Sequence, residues 1–333
     1  MKVIHITNSY VLAEKTKEYP VSPGFSDYIR FFRFLKEEHY DIAHIHAVHT
    51  ETFAIYALIA HLQGLKVVLT LHTPITFSYR HIIVQLFTRF LYNHIVCTSR
   101  YLIEQVQKHH IASRYVRSLI YQGIDQKKID ESPSKEFARS YIYKKIGISF
   151  TKNIRIVGTI ADESNNNGLE HLADAAYLAD TYKNLTNTIF VILGRGKVSA
   201  DIKLQVADIA VEGIYFIIED VENPEEYIKA FDIFVSPRTA PGDLYTLLHV
   251  LHTDIPCIAT KVADTREFEP HVAVPLVPPG SAKYLTEALM YVIKHDKPAV
   301  FKAGIKVSPL PKKFTKDHER LMLQEAYQKV LKK

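Results

Sequence analysis

The stretch Phe231 to Phe268, FDIFVSPRTAPGDLYTLLHVLHTDIPCIATKVADTREF, constrains the fold more than any other part of the chain. An apolar run, Ile233 to Val235, ends at Ser236-Pro237, and a loop carrying Gly242 follows. Leu247, Leu248 and Leu251 then repeat at helical spacing, and a second apolar run, Cys257 to Ala259, closes the stretch. This is a β-loop-α-β unit. Such units build parallel sheets, and their ligands sit where the loop meets the helix N-terminus, because free N–H groups and the helix dipole both favour an anion there.

At 333 residues the chain is long enough for two domains of ordinary size, and 47% hydrophobic content with 11% aromatics supports buried cores. A formal charge of +5 is mild for this length; it does not imply nucleic acid, and it is compatible with an anionic ligand or a membrane surface. Cys97 and Cys257 both lie in apolar strand-like runs and read as buried thiols acting as small hydrophobes, which fits a reducing compartment. The opening MKVIHITNSY reads as a first strand rather than a signal peptide, and no stretch offers the ~18 uninterrupted apolar residues of a membrane span. The expectation is a cytoplasmic protein, with peripheral contact at the inner membrane face left open.

In chain order, Val3 to Ile6 is strand-like, and residues 11–25, with Pro20, Pro23 and Gly24, carry a loop signature. Ser26 is placed to cap the helix DYIRFFRFLKEE, which leads into the strand Ile42 to Ile45. TETFAIYALIAHLQGLKVVLTLHTP reads as a helix, a stop at Gly64, a buried strand, and His72 at the strand's end, where open α/β sheets gather catalytic and binding groups. His44, His46 and His49 invite a metal reading. His44 and His46 are read as pointing to opposite faces of their short strand, which disfavours one shared ion, so no metal is expected. The basic-aromatic stretch at 80–92, RHIIVQLFTRFLY, suits a membrane surface, though such helices more often pack an apolar face and solvate their Arg side chains. HIVCTS makes a strand with Ser99 capping the next helix, and 126–152 reads as a charged, irregular linker. A second α/β series begins at IRIVGTI and includes IFVILG with Gly194-Arg195-Gly196. Phe314, Leu321, Leu323, Tyr327 and Leu331 leave an apolar face on a last helix at about 316–331.

The Phe231–Phe268 stretch resembles the donor-binding segment of retaining glycosyltransferases of family 4, with Pro237, Gly242, Pro256 and Glu267 at matching places. The resemblance extends to Asp41, His44 and His46 at the end of an N-terminal strand, to Gly123 and Asp125 at the domain junction, and to the run from 213 to 236. It implies the GT-B fold: two Rossmann-like parallel-sheet domains facing across a cleft. These would be an abridged acceptor-side domain, 1–125, joined by helix 316–331, and a donor-side domain, 150–313. It further implies His72 and His249 as catalytic positions. Gly158, Thr159, Asn167, Gly194, Arg195, Gly196, Arg238, Gly242, Asp243 and Glu267 become the donor-binding set, and Gly24, His44 and His46 the acceptor side, with no cofactor. The donor motifs are degenerate. Family members carry Arg and Lys where this chain has Thr159 and Asn167, and two Glu where it has Pro241 and His249, while Ala263-Asp264 replaces paired glycines. Asp243 follows Gly242 at the helix start, where a carboxylate repels a phosphate.

Two functions follow. One is transfer of a sugar from a nucleotide-sugar donor to a glycan or lipid-linked acceptor, with His72, Arg195, Arg238 and His249 supplying substitute contacts. The alternative is an inactive pseudo-glycosyltransferase that binds a partner glycosyltransferase or a glycan, for which nucleotide binding no tighter than roughly millimolar is expected.

Overall fold

Alternation of short apolar strands with helices produces two parallel sheets. The structure is a computed structural model that describes residues 1–7, 17–20, 24–47, 50–74, 91–109, 116–149, 153–162, 166–183, 185–198, 200–209, 213–242, 244–272, 276–294 and 311–332. The chain divides into two units, residues 1–123 with 313–333, and residues 124–312.

The first unit holds β1 (Val3–Thr7), β2 (Lys17–Pro20), β3 (Ile42–Ala47), β4 (Lys66–Leu71), β5 (His94–Cys97) and β6 (Arg117–Leu119). They are ordered β2-β1-β3-β4-β5-β6, and every pairing is parallel. One face of the sheet is covered by the helices Phe25–Glu37, Thr50–Leu62 and Arg100–Lys108, through Phe31, Leu35, Tyr56, Leu102 and Val106 among others. The last helix, Lys316–Leu331, seats Ala326, Tyr327 and Val330 on Ile42, Val68, Val96 and Ile120. Its buried face differs from the one expected. Leu321 and Leu331 are 54% and 40% exposed, because the sheet meets the 323–326–327–330 side of the helix.

Three local expectations are corrected. The 11–25 loop contains β2, whose Pro20 is tolerated because it ends an edge strand. The helix begins at Phe25 with Gly24 as its N-cap, so Ser26 lies in the first turn instead of capping it. Residues 126–152, read as linker, contain the helices Gln126–Glu131 and Lys135–Ile146. Ser134 caps the second by accepting from Phe137 N, Gly147 ends it at φ 73°, and Ala138, Ile142 and Tyr143 are buried. Its charged residues are the solvent face, apart from buried Arg139, which donates to Ala230 O and pairs with Asp232. The helix expected at 80–92 falls outside the described residues but for its last two positions.

The second unit holds β7 (Arg155–Ala161), β8 (Thr188–Gly194), β9 (Tyr215–Ile218), β10 (Ile233–Ser236) and β11 (Cys257–Ala259), ordered β11-β10-β7-β8-β9 and parallel throughout. Chain order runs in opposite directions on the two sides of the β7–β10 pair, and in such a sheet the ligand crevice lies at the carboxyl ends of these strands. The helices Leu169–Lys183 and Ala282–Lys294 pack their Ala- and Leu-rich faces on β7 and β8. No helix among the described residues is long and apolar enough to cross a membrane.

Candidate functional site

The crevice of the second unit is a pocket lined by Thr159 in β7 and Asp162 just after it, Asn167, Arg195 after β8, Ser236 at the end of β10 with Pro237 and Arg238 after it, and Thr246 and Thr265. Its shape rests on glycine and asparagine. Gly168 has φ +69°, and a Cβ there would lie 2.0 Å from Pro237 O, so only glycine lets the β7 and β10 loops approach this closely. Thr239 N donates to Asn166 O at 3.0 Å, which ties the same two loops together. Asn167 is 3% exposed; its amide donates to Asp162 O at 2.9 Å and Asp162 Oδ1 at 3.0 Å, closing the loop after β7.

Three donors suited to an anion meet carboxylates in and around this pocket. Arg195 pairs with Glu225 and donates to Thr246 Oγ1 at 2.9 Å. Arg238 Nη1 lies 3.4 Å from Asp162 Oδ2. Gly242 N donates to Asp264 Oδ2 at 2.7 Å. Asp264 is 3% exposed, and burial pushes its pKa up from 3.8 to about 6, against the opposing pull of the Gly242 N–H and Arg238. Its second oxygen, Oδ1, finds no partner among the described residues. His249, in the short helix Tyr245–Leu251, is buried, with its pKa lowered to about 4 by burial and then by His252 and Arg195. Burial thus favours the neutral imidazole at this position.

The first unit carries a second polar cluster. β1 and β3 pair with His5 opposite His44, and His46 lies two residues further along β3. Residues two apart on a strand share a face, so the expectation of opposite faces fails on the strand's own period; the His44 and His46 rings are 4.1 Å apart. His5 Nδ1 is 3.0 Å from His46 Nε2, and His46 Nδ1 is 3.2 Å from His72 Nε2. His44 is fully buried, with Nδ1 2.5 Å from Tyr327 Oη on the last helix and Nε2 2.7 Å from Thr70 Oγ1 on β4. Burial, above all, holds His5 down to about 4 and His44 and His46 well below the usual imidazole range.

The model of Glycosyltransferase Family 4 matches residues 8–128, and that of Glycosyl transferases group 1 matches residues 151–295. The chain belongs to the family 4-like glycosyltransferases. A curated relative, the Escherichia coli UDP-Gal:alpha-D-GlcNAc-diphosphoundecaprenol alpha-1,3-galactosyltransferase, is 26% identical over 245 residues, covering 70% of this chain and 61% of the relative. The chain thus aligns with less than two thirds of that relative's length. Anabaena HepE, solved in complex with UDP-glucose, superimposes with a TM-score of 0.76 at 14% identity, covering 98% of this chain and 99% of that one. A glycosyltransferase from Rickettsia africae gives 0.73 at 13%, covering 95% and 86%. These structures share the GT-B fold.

Set on this family 4-like scaffold, the expected site residues separate. Thr159, Asn167, Arg195 and Arg238 line the pocket, and Gly242 touches it through Arg238, whose guanidinium occupies the space a Cβ would need. Gly158 does not: it is buried inside β7, where a Cβ would lie 2.2 Å from the Phe231 ring, so this glycine makes room for core packing, not for a ligand. Gly194 and Gly196 accept from Val221 N and Asp220 N and build the turn that projects Arg195. Glu267 is half-buried in the 3-10 helix Thr265–His271, where its charge helps to raise the pKa of Asp264. Asp243 lies outside the described residues. In the first unit His72 directly follows β4. His44 is fully buried with both nitrogens engaged, and His46 is buried between His5 and His72. Gly24 opens a helix by accepting from Asp27 N and Tyr28 N. Sequence reasoning missed Asp162, Glu225 and Thr246 as pocket-forming groups; Asp162 carried the signal of a polar residue at the end of a central strand.

Proposed function

We propose that this protein transfers a hexose from a UDP-sugar to a lipid-linked glycan acceptor. The carrying observation is that Arg195 and Arg238 both line the pocket at the reversal point of the second sheet, entering from β8 and β10. Each is paired with a carboxylate, Glu225 and Asp162, and turns to the donor by exchanging that partner, from positions other than Thr159 and Asn167, where the family motifs place the charge. A departing diphosphate needs such charge, and guanidinium forks bind it bidentately. The donor class is supported by relatives whose descriptions name UDP-Gal and UDP-glucose. The acceptor class is supported by the diphosphoundecaprenol-linked substrate of the Escherichia coli relative. His72, directly after β4, is the candidate group for the acceptor side.

Peripheral contact with a lipid surface fits the same reading. Phe25 is 81% exposed on the helix Phe25–Glu37, with Ile29 and Phe32 on the same stripe and Arg30, Arg33 and Lys36 exposed beside it. Leu62, on the neighbouring helix, is 73% exposed. Basic helices with exposed aromatic residues bind the boundary of anionic bilayers.

Calorimetric titration with UDP, UDP-glucose and UDP-galactose tests the donor. The expected result is saturable UDP-sugar binding that weakens at least tenfold in Arg238→Ala. A radiolabelled donor with a polyprenyl-diphosphate-linked N-acetylglucosamine acceptor then tests transfer. Absence of binding at several millimolar, where the binding free energy falls below roughly 4 kcal/mol, would overturn the reading and leave the inactive alternative.

A further inference from the structure

The histidines of β1 and β3 form a donor set to which the proposed sugar transfer assigns no role. One ring nitrogen each from His5, His44 and His46 can be chosen so that all three lie within 4.8 Å of one another, and the three side chains are 7%, 0% and 5% exposed. Zinc holds imidazole nitrogens at about 2.0–2.1 Å in a tetrahedron, which puts ligand nitrogens roughly 3.3 Å apart. His5 Nδ1 and His46 Nε2, at 3.0 Å, stand close to that spacing already, and His44 brings a ring nitrogen within 4.8 Å of the set.

We propose that His5, His44 and His46 hold a divalent transition-metal ion, of the zinc, cobalt or nickel type, on the paired strands β1 and β3 of the first unit. Imidazole donors select such ions over magnesium or calcium, which take oxygen ligands. Three protein ligands leave a fourth position open, as in zinc sites that bind water or a ligand.

The surroundings are those of a metal site. A ligating imidazole is oriented by a hydrogen bond from its other nitrogen. With His46 bound through Nε2, its Nδ1–H donates to His72 Nε2, which stands 3.2 Å away and is half-buried. His44 has a hydroxyl on each side, Tyr327 Oη and Thr70 Oγ1, so whichever nitrogen takes the ion, the other keeps a partner that fixes the ring. Among the described residues the Lys316 ammonium acts against an ion at His5 and His46, but it is paired with Glu319 Oε2 at 2.7 Å.

The test uses the whole chain, stripped with a chelator and dialysed. Zinc chloride is titrated calorimetrically, and cobalt chloride is followed by visible absorption, where a tetrahedral site gives an intense band. The expected result is one equivalent of zinc, a tetrahedral cobalt band, and a zinc-dependent rise of the melting transition, since an ion bound only by the folded state stabilises it. His5→Ala and His46→Ala should each abolish the cobalt band and weaken zinc at least tenfold. His61→Ala, at an exposed position on the helix Thr50–Leu62, should leave both unchanged. If the alanine variants do not fold, the wild-type melting shift and cobalt spectrum decide alone. Absence of both in the wild type, or their survival in folded His5→Ala and His46→Ala protein, would overturn the site and leave a hydrogen-bonded imidazole network only.

Discussion

Replacing Asp264 with Asn tests whether the pocket holds a carboxylate at an energetic cost. Burial raises this pKa from 3.8 to about 6. Each pKa unit is 1.36 kcal/mol between the protonation states, so the ionised form costs the fold about 3 kcal/mol. The sign follows from proton counting. Between about pH 4 and 6 the native state holds a proton that the unfolded chain has released, so stability falls as pH rises through this window and is flat above it. His249, held near 4, works oppositely: the unfolded chain takes up a proton first, so its contribution rises between about pH 4 and 6.5. The difference between Asp264→Asn and wild type isolates Asp264. The amide still accepts from Gly242 N–H, as a neutral bond about 1 kcal/mol weaker than one to a charged group, and its NH2 replaces an oxygen that already has no partner among the described residues. The pull of the Gly242 N–H on the carboxylate is already contained in the pKa of about 6, so the net expectation at pH 8 is a gain of about 2–3 kcal/mol, at roughly 2–4 °C per kcal/mol in the melting of the second unit. At pH 4 the variant and wild type should melt together. The same substitution removes one negative charge beside Gly242 N–H and should strengthen UDP binding at least tenfold, about 1.4 kcal/mol. Thermal unfolding followed from pH 4 to 8 supplies the measurement. A variant less stable than wild type at pH 8, or a difference that does not vary with pH, would refute a buried, strained carboxylate.

Tyr327→Phe removes the hydroxyl against His44 Nδ1 and should cost about 1–2 kcal/mol, with faster hydrogen exchange across Lys316–Leu331; unchanged exchange would show that apolar packing alone seats this helix. Gly168→Ala meets both a left-handed φ and Pro237 O, and should destabilise the second unit by more than about 2 kcal/mol by chemical denaturation. Restoring the family lysine by Asn167→Lys should not by itself improve nucleotide affinity, because Asn167 is buried and its amide closes the loop onto Asp162; tighter UDP binding in that variant would show that the loop can re-form without it.

The alternation of apolar runs and helical spacing determined the two parallel sheets, because a strand buried on both faces must be continuously apolar wherever it sits. Ile233–Val235 and Cys257–Ala259 became β10 and β11, and Ser99 caps its helix by accepting from Leu102 N, all from local chemistry. Residues 126–152 were misread because surface helices carry the same charges as linkers; Ser134 and Gly147 were the overlooked boundary signals. What the sequence could not supply was partnership across the sheet. Gly158 reads as a donor-site glycine until Phe231, 73 positions away, is seen lying where its Cβ would be. His5, 39 and 41 residues from His44 and His46, joins them only through the pairing of β1 with β3. Arg195, Arg238 and Asp264 meet their carboxylate and amide partners through loops leaving separate strands. A residue's periodicity fixes which face of its own element it occupies, but charge, pKa and ligand set depend on neighbours that only strand order and register bring within a few ångströms.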